Sequence, residues 1–362
     1  MDLILHIGCE KTGSTSVQEF LSLNRDKLKE RGVIVPKSLG VGNHIKLPVA
    51  AMHGDNWGQL LRVYHGITSE KVLDIFRGQV RNDLTEELAG SSRAIISSEH
   101  LSSTLRTEEE IEWLREFLFS IFSNVHVIVY LRRQDQFHTS LYSTEVRFGR
   151  VGTLDYPTKE QIARLYDYQA LLRRWSKAFP QVTIRRFGRS FLENGDVKAD
   201  FVSQVGLGRM EDFKPGGNEN TSLGIGQLDF VRSVNRFLPL MKGGKLNPDR
   251  FQLDKCLEIL PRAGEPLALK VADARRLMAE VRENNLWVAE QFFSSAFAEG
   301  DPLFGPLDFN AGATQGTIAT KVVLETALAL ARSKTKAESA NDADLICEMF
   351  ASWWAEKNRA KP

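Results

Sequence analysis

The first half of the chain alternates strand and helix patterns. That predicts an α/β fold: a parallel sheet flanked by helices, with a mainly helical C-terminal part. Three observations carry the prediction. Short apolar runs at Leu3–Ile7, Ala94–Ser97 and Val125–Leu131 read as strands buried on both faces. Amphipathic stretches with helical spacing separate them. A glycine-bearing turn joins the first strand directly to the first helix. With 362 residues, 42% of them hydrophobic, the chain can close a sizeable core.

Each element follows from its residues. After Leu3–Ile7, "STSVQEFLSLNRDKLKERG" sets Val17, Phe20, Leu21 and Leu28 at helical spacing, and Gly32 stops the helix. Val33–Val35 reads as a short strand ended by Pro36. Residues 37–57 hold Gly, Pro and His without a period, which predicts a surface loop. A helix is expected over 69–88. The strand Ala94–Ser97 runs into polar residues. "EEEIEWLREFLFSIF" opens with acidic residues, as a helix dipole prefers. Val125–Leu131 is a strand, "QDQFHTSLYSTEVRFG" a helix, 159–179 a helix and 182–187 a strand. Helical patterns then recur at 222–238, 268–297, 317–332 and 343–357. Residues 1–217 are expected to form the α/β core. Residues 218–362 form a helical region, part of the same domain or a substrate-side cap.

Composition excludes several classes. A net charge of +1 supplies no global field for nucleic acid, so any anion site must be local. Cys9, Cys256 and Cys347 are odd in number and far apart, with no disulfide framework or zinc spacing. The N-terminal apolar run is too short for a signal segment or a membrane span. These features point to a cytoplasmic protein without a transmembrane segment, and leave the oligomeric state open.

The turn "LHIGCEKTGSTSVQEFL" has the glycine separation of a Walker A loop at Gly8 and Gly13, with Thr15 in the last position. Ser14 occupies the lysine slot, and Lys11 comes earlier. Backbone N–H groups in such a turn form an anion nest, and Ser14, Thr15 and Ser16 add hydroxyls at the helix start. Lacking the Walker lysine, the loop suits a ligand with less charge at its 5′ end than a triphosphate, with Lys11 facing a transferring group. A bare strand–helix turn without ligand is the plain alternative. "VIVYLRRQDQFHTSLYS" sets Arg132 just past a strand and Ser140 about two turns into the next helix. A guanidinium fork and a hydroxyl can converge there on one phosphate. Either Arg132 or Arg133 alone reads equally as a solvated strand-end charge.

These two stretches resemble sulfotransferases that use 3′-phosphoadenosine 5′-phosphosulfate. "KTGSTSVQ" is similar to their 5′-phosphosulfate loop. "LRRQDQFHTSLY" is similar to their 3′-phosphate motif, an arginine with a serine eight residues later and a tyrosine two beyond. The opening run is especially similar to bacterial carbohydrate sulfotransferases, and the likeness takes in "AIISSEHL" and, more weakly, "NENTSLG". The resemblance implies a P-loop-like sheet and 3′-phosphoadenosine 5′-phosphosulfate as co-substrate, without a metal. It implies a hydroxyl on a carbohydrate or glycolipid as acceptor. Lys11, Thr12, Gly13, Ser14, Thr15 and Ser16 would hold the 5′ end, with Lys11 also stabilising the leaving oxygen. Arg132 and Ser140 would hold the 3′-phosphate. Many relatives carry Asp-Pro after the arginine where this chain has Arg133-Gln134, which leaves open which arginine faces the phosphate.

Transfer to a hydroxyl needs a base. Glu99, at a strand end beside His100, and His44, in the unpatterned stretch, are the candidates. His6 reads as a core histidine. His53, His65, His126 and His138 form no metal-ligand pair. Tyr166 and Trp175 read as packing. Arg185, Arg186 and Arg189 read as a solvated face, with contact to an acidic acceptor as the alternative. The competing readings are a nucleotide-dependent kinase, weakened by Ser14, and a catalytically silent nucleotide-binding or scaffold protein.

Overall fold

The computed structural model describes residues 1–217, 223–236, 238–242, 245–247 and 267–309. The helices expected at 317–332 and 343–357, together with Cys256, Cys347 and residues 218–222, lie outside the described residues. The chain divides into two compact units. One comprises Met1–Phe137, Pro157–Thr221 and Arg275–Asp308; the other comprises His138–Tyr156, Ser222–Ala274 and Phe309–Pro362.

The first unit is built on a five-stranded parallel sheet. Its strands are β1 (Asp2–His6), β2 (Val33–Ile34), β3 (Arg93–Ser97), β4 (Asn124–Arg132) and β5 (Gln181–Phe187), in the order β2-β3-β1-β4-β5. His6 of β1 stands opposite Ser97 of β3 on one side and Ile128 of β4 on the other. The α/β sheet flanked by helices is thus present. The central strands are continuous apolar runs because helices cover both faces.

The chain leaves β1 into α1 (Ser14–Leu23) and α2 (Arg25–Glu30). The single helix expected here breaks at Asn24, whose side-chain amide donates to the carbonyls of Phe20 and Lys214. On one sheet face Ile4, Ile95, Ile128 and Tyr130 pack with Val17, Phe20 and Leu21 of α1. Residues 37–57 are not a surface loop. They contain α3 (Lys46–Ala51), in which Leu47 to Ala51 are all buried. A segment covered on every side has no polar face, so it shows no period.

Helices α4 (Leu60–Tyr64) and α5 (Glu70–Glu87) follow, the latter capped by Ser69. The short α6 (His100–Thr104) leaves β3, and α7 (Glu108–Phe119) begins with a reciprocal Thr107–Glu110 capping box. Helix α8 (Gln134–Arg147) starts directly after β4. The helix expected over 159–179 is interrupted: α9 (Lys159–Gln161) runs into a π-helical turn at Ile162–Tyr166. Asp167 then caps α10 (Tyr168–Ala178). Tyr166 and Trp175 are buried packing residues. After β5 comes α11 (Val197–Gln204), which supplies Phe201 and Val202 to the core.

Arg185 and Arg186 do not form a solvated face. Arg185 pairs with Asp200, a fully buried carboxylate that also accepts from the Tyr130 hydroxyl at 2.8 Å. Arg186 lies over the rings of Phe191, Phe293 and Phe297 at 5.0, 4.2 and 4.9 Å.

In the second unit, α12 (Ile225–Asn235) is tied down by Asn235, which donates to the carbonyls of Val146 and Arg150. A two-stranded antiparallel ribbon pairs Met241–Lys242 with Lys245–Leu246. The helix expected over 268–297 is two, α13 (Val271–Glu280) and α14 (Arg282–Phe292), broken at Val281. Residues 275–308 belong to the first unit. Among the described residues, no helix is long and apolar enough to cross a membrane.

Candidate functional site

From β1 the chain builds β2 and β3 on one side of that strand, then β4 and β5 on the other. The carboxyl ends of β3, β1 and β4 are therefore neighbours at a switch in strand order, where open parallel sheets place ligands. The glycine loop follows β1. Gly8 has φ +75°, and a Cβ there would lie 2.7 Å from both Cα and Cβ of Glu99. Only glycine allows the loop to press this closely on the exit of β3. Gly13 has φ +79°, and its added Cβ would meet Val197 at 2.9 Å.

Between them Lys11 is left-handed, with φ +64°, a conformation unfavourable for a side-chain-bearing residue. Arg132 at the end of β4 holds it, Nη1 donating to the Lys11 carbonyl at 2.8 Å. Thr12 is fully buried, and its hydroxyl donates to the Cys9 carbonyl at 2.6 Å. That bond closes the loop from inside, leaving the backbone amide as the group Thr12 can turn to a ligand. The first intrahelical bond of α1 runs from Val17 N to Gly13 O. The amides of Ser14, Thr15 and Ser16 precede it, at the positive end of the helix. Ser14, in the Walker lysine slot, is only 3% exposed, whereas Thr15 is exposed.

Arg132 is packed over the Phe187 ring at 5.4 Å, and its own carbonyl accepts from the Tyr168 hydroxyl. Burial pulls its pKa below the ordinary arginine value. Its Nε is buried and has no protein partner. Arg133 is turned away into a two-pronged ion pair with Asp135 at 2.7 and 2.9 Å, and donates to the Asp308 carbonyl at 3.0 Å. The two arginines therefore separate: Arg132 belongs to the loop, Arg133 to Asp135. Ser140 is half-buried on α8, within the second unit.

Glu99 stands half-buried where β3 gives way to α6. Its Oε2 accepts from Gln18 Nε2 at 2.7 Å and from Asn43 Nδ2 at 3.0 Å. Two amide donors on one oxygen fix the carboxylate and leave Oε1 for another partner. His44 is in a different position. It is 1% exposed, and burial above all lowers its pKa to about 4. Nε2 lies 2.8 Å from the Pro36 carbonyl, and Nδ1 accepts from the Ser97 N–H at 2.8 Å. A carbonyl can only accept, so the proton is on Nε2. Both nitrogens are occupied by backbone, and His44 is a neutral strut tying this segment to β3. His6 is also buried, with Nδ1 2.8 Å from the Ser97 hydroxyl and a pKa lowered to about 4 by burial. Burial pushes the Cys9 thiol up to about 12, so it is no nucleophile near neutral pH.

Gln18, Asn43, Tyr168 and Phe187 were not legible as site residues. Gln18 carries one signal, a polar residue on the buried side of an amphipathic helix. Among the described residues, no group of three or more His, Cys, Asp or Glu is placed to hold a metal.

No family model matches the chain. A stretch of 186 residues is 26% identical to an uncharacterised protein of Archaeoglobus fulgidus; the match covers 49% of this chain and 49% of that one. The chain thus spans about half the length of the curated relative it matches. Among solved structures, a sulfotransferase from Alicyclobacillus acidocaldarius overlaps 80% of this chain and 94% of its own, at TM-score 0.38 and 10% identity. The sulfotransferase domain from the curacin biosynthetic pathway overlaps 78% and 96%, at TM-score 0.30 and 14% identity. Identities and scores this low assign no activity to the chain.

Proposed function

We propose that the chain is a sulfotransferase moving a sulfuryl group from 3′-phosphoadenosine 5′-phosphosulfate to a hydroxyl of a carbohydrate or glycolipid acceptor. The observation that carries this reading is Arg132. It braces the left-handed turn at Lys11 while keeping a buried Nε without a protein partner. A buried guanidinium nitrogen left open beside an anion nest is suited to a phosphate. The buried serine in the Walker lysine slot disfavours a triphosphate grip.

The amides from Thr12 to Ser16, with the hydroxyls of Thr15 and Ser16, would hold the 5′-phosphate. Arg132, with Ser140, would hold the 3′-phosphate. In the reaction the acceptor oxygen forms a bond to sulfur while the bond from sulfur to the phosphate-bridging oxygen breaks. The electron pair leaves on that oxygen, where Lys11 stabilises the developing charge. Glu99, aimed by Gln18 and Asn43, takes the acceptor proton. His44 is left out, because both ring nitrogens are engaged.

The test is turnover of the phosphosulfate donor with a panel of oligosaccharides, read as released adenosine 3′,5′-bisphosphate and sulfated product. Glu99→Gln should lower turnover by about a hundredfold or more and leave bisphosphate affinity unchanged. A fully active Glu99→Gln enzyme would remove Glu99 as base. Absence of donor turnover with every acceptor would remove the reading.

A further inference from the structure

Beside the glycine loop is a small cavity, partly open to solvent. Cys9 and Glu10 line it from the loop, and Ser102 and Ser103 line it from α6. Three arginines line it: Arg106, between α6 and α7; Arg164, on the π-helical turn; and Arg174, on α10. Among the described residues, no carboxylate forms an ion pair with any of them. Arg106 donates only to the carbonyls of Ser103 and Arg164. Arg174 Nε is buried without a partner. Asp167 lines the same cavity, but one of its oxygens caps α10 through the Ala170 N–H at 2.8 Å. Burial, then the charges of Arg164 and Arg174, lowers the Arg106 pKa to about 10.

Arg106 and Arg174 are half-buried and Arg164 is exposed, and the carboxylates of Glu10 and Asp167 share the wall without pairing with any of the three. Like charges grouped at one partly shielded wall repel one another, and an anion bound there relieves that. The π-helical turn adds a second mark. Such turns are frequent at functional sites, and this one carries Arg164 and Leu165 of the cavity wall. The cavity borders both halves of the proposed chemistry. Glu10 immediately precedes Lys11, and Ser102 and Ser103 lie about one turn after Glu99. Neither Arg132 nor the first turn of α1, assigned above to the donor, lines it.

We propose that this cavity is an acceptor subsite that binds an anionic oxyacid group, a carboxylate or a sulfate ester, carried by a charged saccharide. Arginine forks match the oxygens of either group two at a time. The specific placement rests on the sulfotransferase reading; the anion preference does not.

The test measures binding to the full chain by calorimetry. Three oligosaccharides are used: one containing glucuronate, the same with its carboxyl reduced to the alcohol, and the reduced form carrying a sulfate ester. At least one charged form should bind about tenfold to a hundredfold tighter than the neutral one, by the usual size of a charged hydrogen bond. Whichever charged form gains more names the group. Arg174→Gln should abolish most of that preference while leaving the neutral sugar and adenosine 3′,5′-bisphosphate unchanged. Arg164→Gln, at an exposed position, gives the same readout if Arg174→Gln does not fold. Equal binding of charged and neutral sugars to the wild type, or equal weakening of all three by the variants, overturns the proposal. If the bisphosphate fails to bind while the anion preference persists, the donor assignment falls and the subsite stands. If the bisphosphate binds and the preference is absent, the subsite alone falls.

Discussion

Gly8→Ala places a methyl group 2.7 Å from the Cα and Cβ of Glu99 on a residue with φ +75°. Two terms add. A side chain in the left-handed region costs about 1–2 kcal/mol. Overpacking against a neighbour that cannot turn aside costs about 1–3 kcal/mol more, and Cα of Glu99 is backbone. The expected loss is about 2–5 kcal/mol, a large share of the ~5–15 kcal/mol typical of a folded protein. Gly90→Ala isolates the first term, since Gly90 has φ +79° and nothing within 4 Å of its added Cβ. It should lose only about 1–2 kcal/mol. Urea unfolding of both variants, compared at unchanged slope, measures the difference. The Gly8 variant should also lose turnover beyond its loss of folded protein, because the methyl displaces the proposed base. Equal destabilisation by the two substitutions would refute the close packing of the loop on the exit of β3.

Arg132→Ala should weaken adenosine 3′,5′-bisphosphate about tenfold to a hundredfold more than adenosine 5′-phosphate, one charged hydrogen bond at roughly 1.5–3 kcal/mol. Both ligands lose the brace on Lys11, so the difference is the measure; Arg133→Ala should show no such selectivity, and equal losses from Arg132→Ala would sink the assignment. Lys11→Ala should cut turnover about a hundredfold to a thousandfold with little change in bisphosphate affinity, and near-normal turnover would make it a loop residue only. Stability should fall as pH drops below 6.5. His6 and His44 titrate near 4 when folded against 6.5 ordinarily, so the unfolded chain takes up protons first. The neutral histidines' contribution, complete above 6.5, is lost down to about 4, at ~1.4 kcal/mol per pH unit for each. Flat stability between pH 6.5 and 5 would contradict their burial as neutral rings.

Strands β1, β3 and β4 could be read from sequence to within one residue at either end. Burial on both faces leaves an unbroken apolar run, and that is a local signal. The glycine loop was legible for the same reason, since Gly8 and Gly13 answer to local backbone geometry. What escaped depends on distant partners. Arg132 and Arg133 are indistinguishable until the Lys11 carbonyl, 121 residues away, claims one of them. His44 reads as a candidate base from sequence because Pro36 and Ser97 reach its ring only through the fold. Glu99 owes its orientation to Gln18 and Asn43, 81 and 56 residues away. The arginine cavity needs the π-helical turn, and the smooth helical pattern over 159–179 hides it.

The central claim is that the loop and Arg132 hold a 3′-phosphorylated adenine nucleotide rather than a triphosphate. Thermal unfolding of the wild-type chain with adenosine 3′,5′-bisphosphate, adenosine 5′-phosphate and magnesium–ATP tests it directly, because a ligand that binds only the native state raises the midpoint. At a hundredfold excess over Kd the bisphosphate should add about 2.7 kcal/mol, a shift of several degrees, with adenosine 5′-phosphate at the same concentration adding much less and magnesium–ATP almost nothing. Stabilisation by magnesium–ATP with none from the bisphosphate would contradict the account.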